Sequence, residues 1–235
     1  VRPAFEVVSE AMSATPNQPS EQSGPSNGQP QPGSGDAAVR AQAERAEKTR
    51  GRNIPEFDDL PGVGDTANLR MGPELNGACL GLLPLIGVWR GEGEANHPSL
   101  DEKYRFLQQV TFAHDGRPFL YYESRAWKLD GEGGEIVEPA FRELGWWRPQ
   151  PDDSIELLLV HSSGIAEMFF GNPRNQTSWE LSTDAVLRTP TSEDVTAATR
   201  LYGVVEGSLA YVEERATSEH ELQPRLSAKL ERVVG

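Results

Sequence analysis

The sequence predicts an all-β protein: a closed antiparallel barrel of roughly ten strands, preceded by a disordered N-terminal extension. Three observations lead there. From residue 86 onward, short segments rich in Val, Ile, Leu, Tyr, Phe, Trp and Thr follow one another, the residues that suit a pleated, half-buried surface. Turn signals part most of them, among them Asp115-Gly116, DGEGG at 130–134, PDD at 151–153, SSG at 162–164, NPRN at 172–175 and Glu206-Gly207. No long helical pattern intervenes, so sequence neighbours are expected to pair as a meander. An open sheet of that size would expose two edges, and closure removes them.

The strands are expected near 86–94, 104–114, 118–128, 136–148, 154–161, 164–171, 176–188, 195–205, 208–217 and 224–233. Alternation is clearest in SLAYVEERA, which sets Leu209, Tyr211 and Glu213 against Ala210, Val212 and Glu214. A barrel this wide is not readily filled by its own side chains and is expected to enclose a cavity. Ahead of it, residues 15–36 have too few apolar side chains to offset the entropy of ordering. AAVRAQAERAEKTR, at 37–50, carries good helix formers and a Glu44–Lys48 pair but no apolar stripe, which predicts a marginal helix. Residues 51–72 read as an extended approach segment anchored by Phe57, Leu60 and Val63. PELNGACLGLLPL, at 73–85, reads as a brief helix ending before Pro84. The expected organisation is a tail over 1–70 and a barrel domain over 71–235.

Composition narrows the function. A formal charge of −14 argues against nucleic acid and anionic membrane surfaces as partners, since both require basic patches. The single cysteine, Cys79, excludes an internal disulfide and a cysteine-built metal site. No apolar run reaches the roughly 18 residues of a transmembrane helix, and VRPAFEVVSEAMSA is too polar for a secretory signal; a cytoplasmic location is expected. His97, His114, His161 and His220 show no metal-ligand spacing. Ser162-Ser163-Gly164 lies between two strands and is no nucleophile elbow. Glu213 and Glu214 point to opposite faces and cannot form a dyad, and the other acids read as a solvated surface. Oligomeric state is left open.

The stretch LIGVWRGEGEA, at 85–95, places Gly87, Trp89, Gly91 and Gly93 on one strand face and Val88, Arg90 and Glu92 on the other. It predicts a bent first strand whose tryptophan closes one end of the barrel. GVWRGEG also resembles the GxWxGxG signature of the nitrobindin family, haem-binding barrels similar to fatty-acid-binding proteins and calycins. YRFLQQVTFAHDGRPFL at 104–120 and LLLVHSSGIAEM at 157–168 resemble further family blocks, so that the likeness covers most of 80–233 in order. It implies haem b in the barrel mouth, held by one histidine of the last strand, and peroxynitrite isomerisation as the chemistry.

In the corresponding stretch LQPRLSAKL, at 222–230, Arg225 stands where the resemblance implies that histidine, after Pro224. Arginine has no lone pair for iron. The expectation is therefore a family barrel without haem, without a metal and without catalytic residues: not an enzyme, but a binder of a small apolar or anionic-headed molecule. His220 is five residues upstream, with the wrong strand parity to replace the ligand. His114 and His161 are expected to be hydrogen-bonding structural residues at strand ends. His97, in NHPSL, falls where the family has a pocket-mouth segment.

Simple alternation points Leu226, Ala228 and Leu230 inward and Arg225, Ser227, Lys229 and Glu231 outward, whereas the resemblance points position 225 inward. A bulge at Pro224, or an outer wall covered by the approach segment, would reconcile them. Facing inward, Arg225 would take a carboxylate or phosphate in a bidentate fork, within a pocket lined by some of His97, Phe106, Phe112, Tyr121, Trp127, Phe141, Trp147 and Phe169. Facing outward, it would pair with a glutamate such as Glu221. Trp146 and Trp147 should point to opposite faces, the outer ring packing on the segment before the barrel. Two other readings stay open: a haem-binding peroxynitrite isomerase using another ligand, and a protein-interaction module recruiting through its tail.

Overall fold

The computed structural model describes residues 34–53, 64–131 and 134–235. Residues 15–33 of the expected tail, and the anchors Phe57, Leu60 and Val63, lie outside the described residues. Helix α1 spans Ser34–Lys48 and leaves Val39 exposed, as its lack of an apolar stripe predicts.

The barrel belongs to the unit Leu60–Gly235. Its strands are β1 (Gly87–Ala95), β2 (Tyr104–Ala113), β3 (Leu120–Leu129), β4 (Ile136–Pro149), β5 (Ile155–His161), β6 (Ile165–Asn175), β7 (Ser178–Arg188), β8 (Ala197–Val205), β9 (Ser208–Ala216) and β10 (Gln223–Val234). Each pairs antiparallel with its sequence neighbours, and β1 pairs with β10 to close the ring. The strands lie where alternation and turn residues place them, with one clear departure. NPRN is not a turn: β6 runs through it, Pro173 opposite Trp179, and the reversal falls next, where the Asn175 side chain accepts from Thr177 N at 2.9 Å.

A 3₁₀ segment, Gly77–Leu85, lies across one end. It continues through Pro84 rather than stopping before it. The Asn76 side chain caps its start, and Cys79, Leu82 and Leu85 are buried beneath it. Two indoles hold it down: Trp89 Nε1 donates to Leu85 O at 2.8 Å, and Trp179 Nε1 to Gly81 O at 3.2 Å. The Arg232 guanidinium covers the Trp89 ring at 4.1 Å. Trp89 thus seals this end as part of a larger cap.

The glycines beside Trp89 make room. A Cβ on Gly93 would fall 2.3 Å from the Phe106 ring and 2.5 Å from Ser227 O. Gly87, at φ 149°, would place one 2.5 Å from Val234 O. The bare face lets β1 press against β10 and admits the Phe106 ring.

The interior corrects one expectation. It is filled over most of its length, because the inward positions carry unusually large side chains. Phe112, Trp147, Tyr202 and Tyr211 form a column with ring centroids 5.2–5.6 Å apart, and Phe169 and Trp179 are fully buried beside them. Trp147 is buried and Trp146 points outward, 41% exposed. Above the aromatic column, at the end opposite the 3₁₀ segment, the filling turns to charge.

Candidate functional site

Strand parity builds the charged layer. On β9, Glu213 and Arg215 share the inward face of Leu209 and Tyr211. On β8, Arg200 shares that of Ala198 and Tyr202, and register sets it opposite Glu213. On β4, Glu143 follows the parity of Trp147. Arg225 arrives by another route. The register of β10 shifts between Pro224 and Leu226, opposite Glu214 and Glu213 respectively, so Arg225 occupies a bulge. Both Arg225 and Leu226 are buried, at 7% and 4% exposure. The bulge resolves the conflict between alternation and resemblance: the side chain points in without reversing the rest of the strand.

The layer has a tight half and a loose half. Arg200 grips Glu143 bidentately at 2.7 and 2.8 Å and reaches Glu213 at 2.7 Å. Tyr122 donates to the same Glu143 at 2.7 Å, and the His161 ring lies between Glu143 at 3.3 Å and Glu167 at 2.7 Å. Burial alone would push the Glu143 carboxyl up, but the charge and hydrogen bonds of Arg200, with His161 and Tyr122, hold it well below the ordinary range. Glu213 is likewise lowered against its burial, by Arg215, Arg200 and Arg225.

Arg215 and Arg225 are held more loosely. Arg215 meets Glu213 at 3.1 Å and Glu193 at 3.2 Å; Arg225 meets Glu213 at 3.4 Å and Glu193 at 3.3 Å. These lie at or beyond the long end of ordinary N–H···O contacts. The Nε of each is buried without a partner among the described residues, as is that of Arg200. Arg225 pairs with Glu213 and Glu193, not with Glu221. Glu193 belongs to the loop joining β7 to β8 and its side chain is half exposed.

Above this half lies a cavity of about 210 Å³, lined by Arg215, Arg225, Glu193, His161, Tyr104 and Phe141 among others. Chemically it offers two cations on long contacts, beneath an apolar rim of Leu100, Phe141 and Leu226.

The other candidate residues are spread out. Phe106 and Phe112 point inward but are packed solid, Phe106 against Phe141 and Phe112 against Trp147. Tyr121 and Trp127 take the outer face of β3, since Tyr122 and Ala126 take the inner one, so neither lines the interior. His97 lies after β1 with both ring nitrogens engaged, by Ser99 at 2.8 Å and Arg215 O at 3.1 Å. His220 stacks edge-on against it, centroids 5.9 Å apart. His161 is a hydrogen-bonding residue as expected. His114 is one only through its backbone, paired with Thr66; both ring nitrogens are buried without partners among the described residues. Among the described residues no group of His, Cys, Asp and Glu could hold a metal ion.

Sequence reasoning missed Glu143, Arg200, Glu213 and Arg215 as a cluster, and took the acids for surface. A signal was present: Glu213 and Arg215 continue the inward series of Leu209 and Tyr211 without a break.

Residues 78–232 match the model of the THAP4-like, heme-binding beta-barrel domain. The chain is 79% identical over 210 residues to a "Ferric nitrobindin-like protein" of Saccharopolyspora erythraea, covering 89% of this chain and 99% of that one. It is 53% identical over 219 residues to "Peroxynitrite isomerase 2" of Mycolicibacterium smegmatis, covering 90% and 99%. Among solved structures, Rv2717c from M. tuberculosis superposes with a TM-score of 0.60 at 32% identity, over 68% of this chain and 99% of that one. These relatives correct the expectation that the chain is not an enzyme, because proteins sharing half its residues over nine tenths of its length are named for an enzymatic activity. The closed barrel and the match over residues 78–232 agree: the chain belongs to the THAP4-like heme-binding β-barrel family, the nitrobindins.

Proposed function

We propose that the open end of this barrel receives a small molecule with an anionic head, seated on Arg225 and Arg215, rather than ferric haem. The observation that carries the reading is the loose half of the charged layer: two buried guanidiniums with long contacts, lining a cavity. A carboxylate or phosphate meets such donors in a fork of charge-assisted hydrogen bonds. Leu100, Phe141 and Leu226 would take a short apolar body.

The residues lining the cavity do not fit an iron porphyrin. Its volume of about 210 Å³ falls below the roughly 300–1,000 Å³ of pockets that take drug-sized ligands. His161, the histidine lining it, has both ring nitrogens on Glu143 and Glu167. On the family resemblance Arg225 stands at the place of the iron ligand, and a guanidinium cannot coordinate.

The test is calorimetric titration of benzoate into wild type and Arg225→Ala. Wild type is expected to bind, and the variant to lose on the order of ten- to a hundred-fold, the worth of a charged hydrogen bond. Equal affinities would remove the arginine from the site. Ferric haem added to wild type is expected to give no sharp Soret band; a stoichiometric band abolished by His220→Ala would overturn the proposal.

The activity for which the relatives are named favours a second reading. Peroxynitrite is itself a small anion and would reach the same two arginines. On this reading the protein raises the share of nitrate over nitrite formed from peroxynitrite, and Arg225→Ala abolishes the rise.

A further inference from the structure

We infer that Glu193 is a displaceable internal carboxylate that occupies the anion seat of Arg215 and Arg225, so that ligand binding is an exchange of one carboxylate for another. This rests on the anion site proposed above and describes its regulation.

Charge balance is the first argument. Arg200, Arg215 and Arg225 are buried, and the buried carboxylates they meet are Glu143 and Glu213. Glu167 is turned toward His161 instead. In direct contact the three guanidiniums meet only two buried carboxylates, and the third carboxylate they meet, Glu193, comes from outside the barrel.

The second argument is how Glu193 is held. A single oxygen, Oε2, bridges Arg215 at 3.2 Å and Arg225 at 3.3 Å, and the side chain is half exposed, while the arginines are 4% and 7% exposed. Arg200, by contrast, takes Glu143 with both oxygens at 2.7 and 2.8 Å, both partners buried. The bridge is the weak member of the layer.

The third is that the carboxylate can leave without unfolding its loop. The next residue, Asp194, clasps Ser218 N at 2.7 Å and pairs with Arg188, and Val195 is buried. Rotation of the Glu193 side chain alone empties the seat toward solvent and leaves the backbone fixed. An incoming anion then pairs with the same donors.

A competitor tethered in the site lowers apparent affinity by the fraction of molecules it leaves open. Removing it should tighten binding, the reverse of what loss of a structural ion pair would do. The test titrates benzoate and inorganic phosphate separately into wild type, Glu193→Gln, Glu193→Asp, Glu221→Gln and Arg225→Ala, with thermal melts confirming that each is folded. Glu193→Asp keeps the charge but shortens the reach, so it separates occupancy of the seat from long-range attraction. Both Glu193 variants are expected to bind at least one probe about ten-fold more tightly than wild type, with Glu221→Gln unchanged and Arg225→Ala weakened by about ten- to a hundred-fold. If wild type and Glu193→Gln bind equally while Arg225→Ala is weakened, the anion site stands and the exchange is overturned. Weaker binding by Glu193→Gln overturns it as well. If none of the proteins binds either probe, the anion site itself falls, and the exchange with it.

Discussion

Arg200 shows how one buried charge can set the character of a site. Its three contacts at 2.7–2.8 Å join β4, β8 and β9 across the interior, and its guanidinium faces the Phe169 ring at 5.4 Å. Such a network is not stabilising simply because it is charged, since desolvation offsets much of the attraction. Removing one member is another matter, because the partners remain buried and unpaired. Arg200→Met is therefore expected to destabilise the fold by about 3–5 kcal/mol, read from urea denaturation, and to do so without benzoate present. A loss under about 1 kcal/mol would mean that water reaches the layer and screens it. Legibility at this scale was partial. Arg225 could be singled out because a family pattern gave its position a history, while Arg200 is a single charge between Thr199 and Leu201 and Glu143 follows Arg142 like half of a surface pair. A lone charge on a strand looks like surface until the register supplies its partner.

At the scale of elements, most of the strand pattern could be read because alternation and turn chemistry agree. Where they conflict, the reading fails for a physical reason. NPRN carries turn residues, yet the pairing of Pro173 with Trp179 prolongs the hairpin through them. Alternation alone turned Arg225 outward, because a bulge adds a residue that periodicity cannot see. Gly93 was legible as a position needing closeness, but not what would approach it. With the Phe106 ring 2.3 Å and Ser227 O 2.5 Å from any added Cβ, Gly93→Ala must push β1 away from β10. The expected cost is about 1–3 kcal/mol, seen as a lowered thermal midpoint. A neutral substitution would show that the ring yields and the backbone contact does not matter.

The whole molecule carries its titratable groups in a way that makes it acid-sensitive. Burial pushes the His97 and His114 imidazoles below their ordinary value, His97 with the help of nearby Arg225, His220 and Arg215. Glu143 and Glu213 are also lowered, by their arginines. All four are depressed in the folded state, so each contributes stability present above its unfolded pKa and lost as pH falls through the folded one. Denaturation midpoints should hold above pH about 6.5, decline below it as the unfolded chain takes up protons on the histidines, and decline again below about 4.3. His114→Leu is expected to flatten the first decline; a profile level from pH 8 to 5 in wild type would contradict the burial of both rings. The family was legible because its motif residues lie on the strand that seals the barrel. The contents of the mouth were not, because they depend on many strands and the loops between them meeting at one end.

The seam between β1 and β10 has a consequence for how this protein is made. It joins residues near the start of the domain to residues near its finish, and every other pairing is local. During synthesis the meander can grow hairpin by hairpin, but the cylinder stays a curled ribbon with two sticky margins until the tenth strand has left the ribosome. Arg200 and Glu213 are joined early and wait for Arg225, which reaches them with that strand, so the proposed anion seat is complete only once the ring closes.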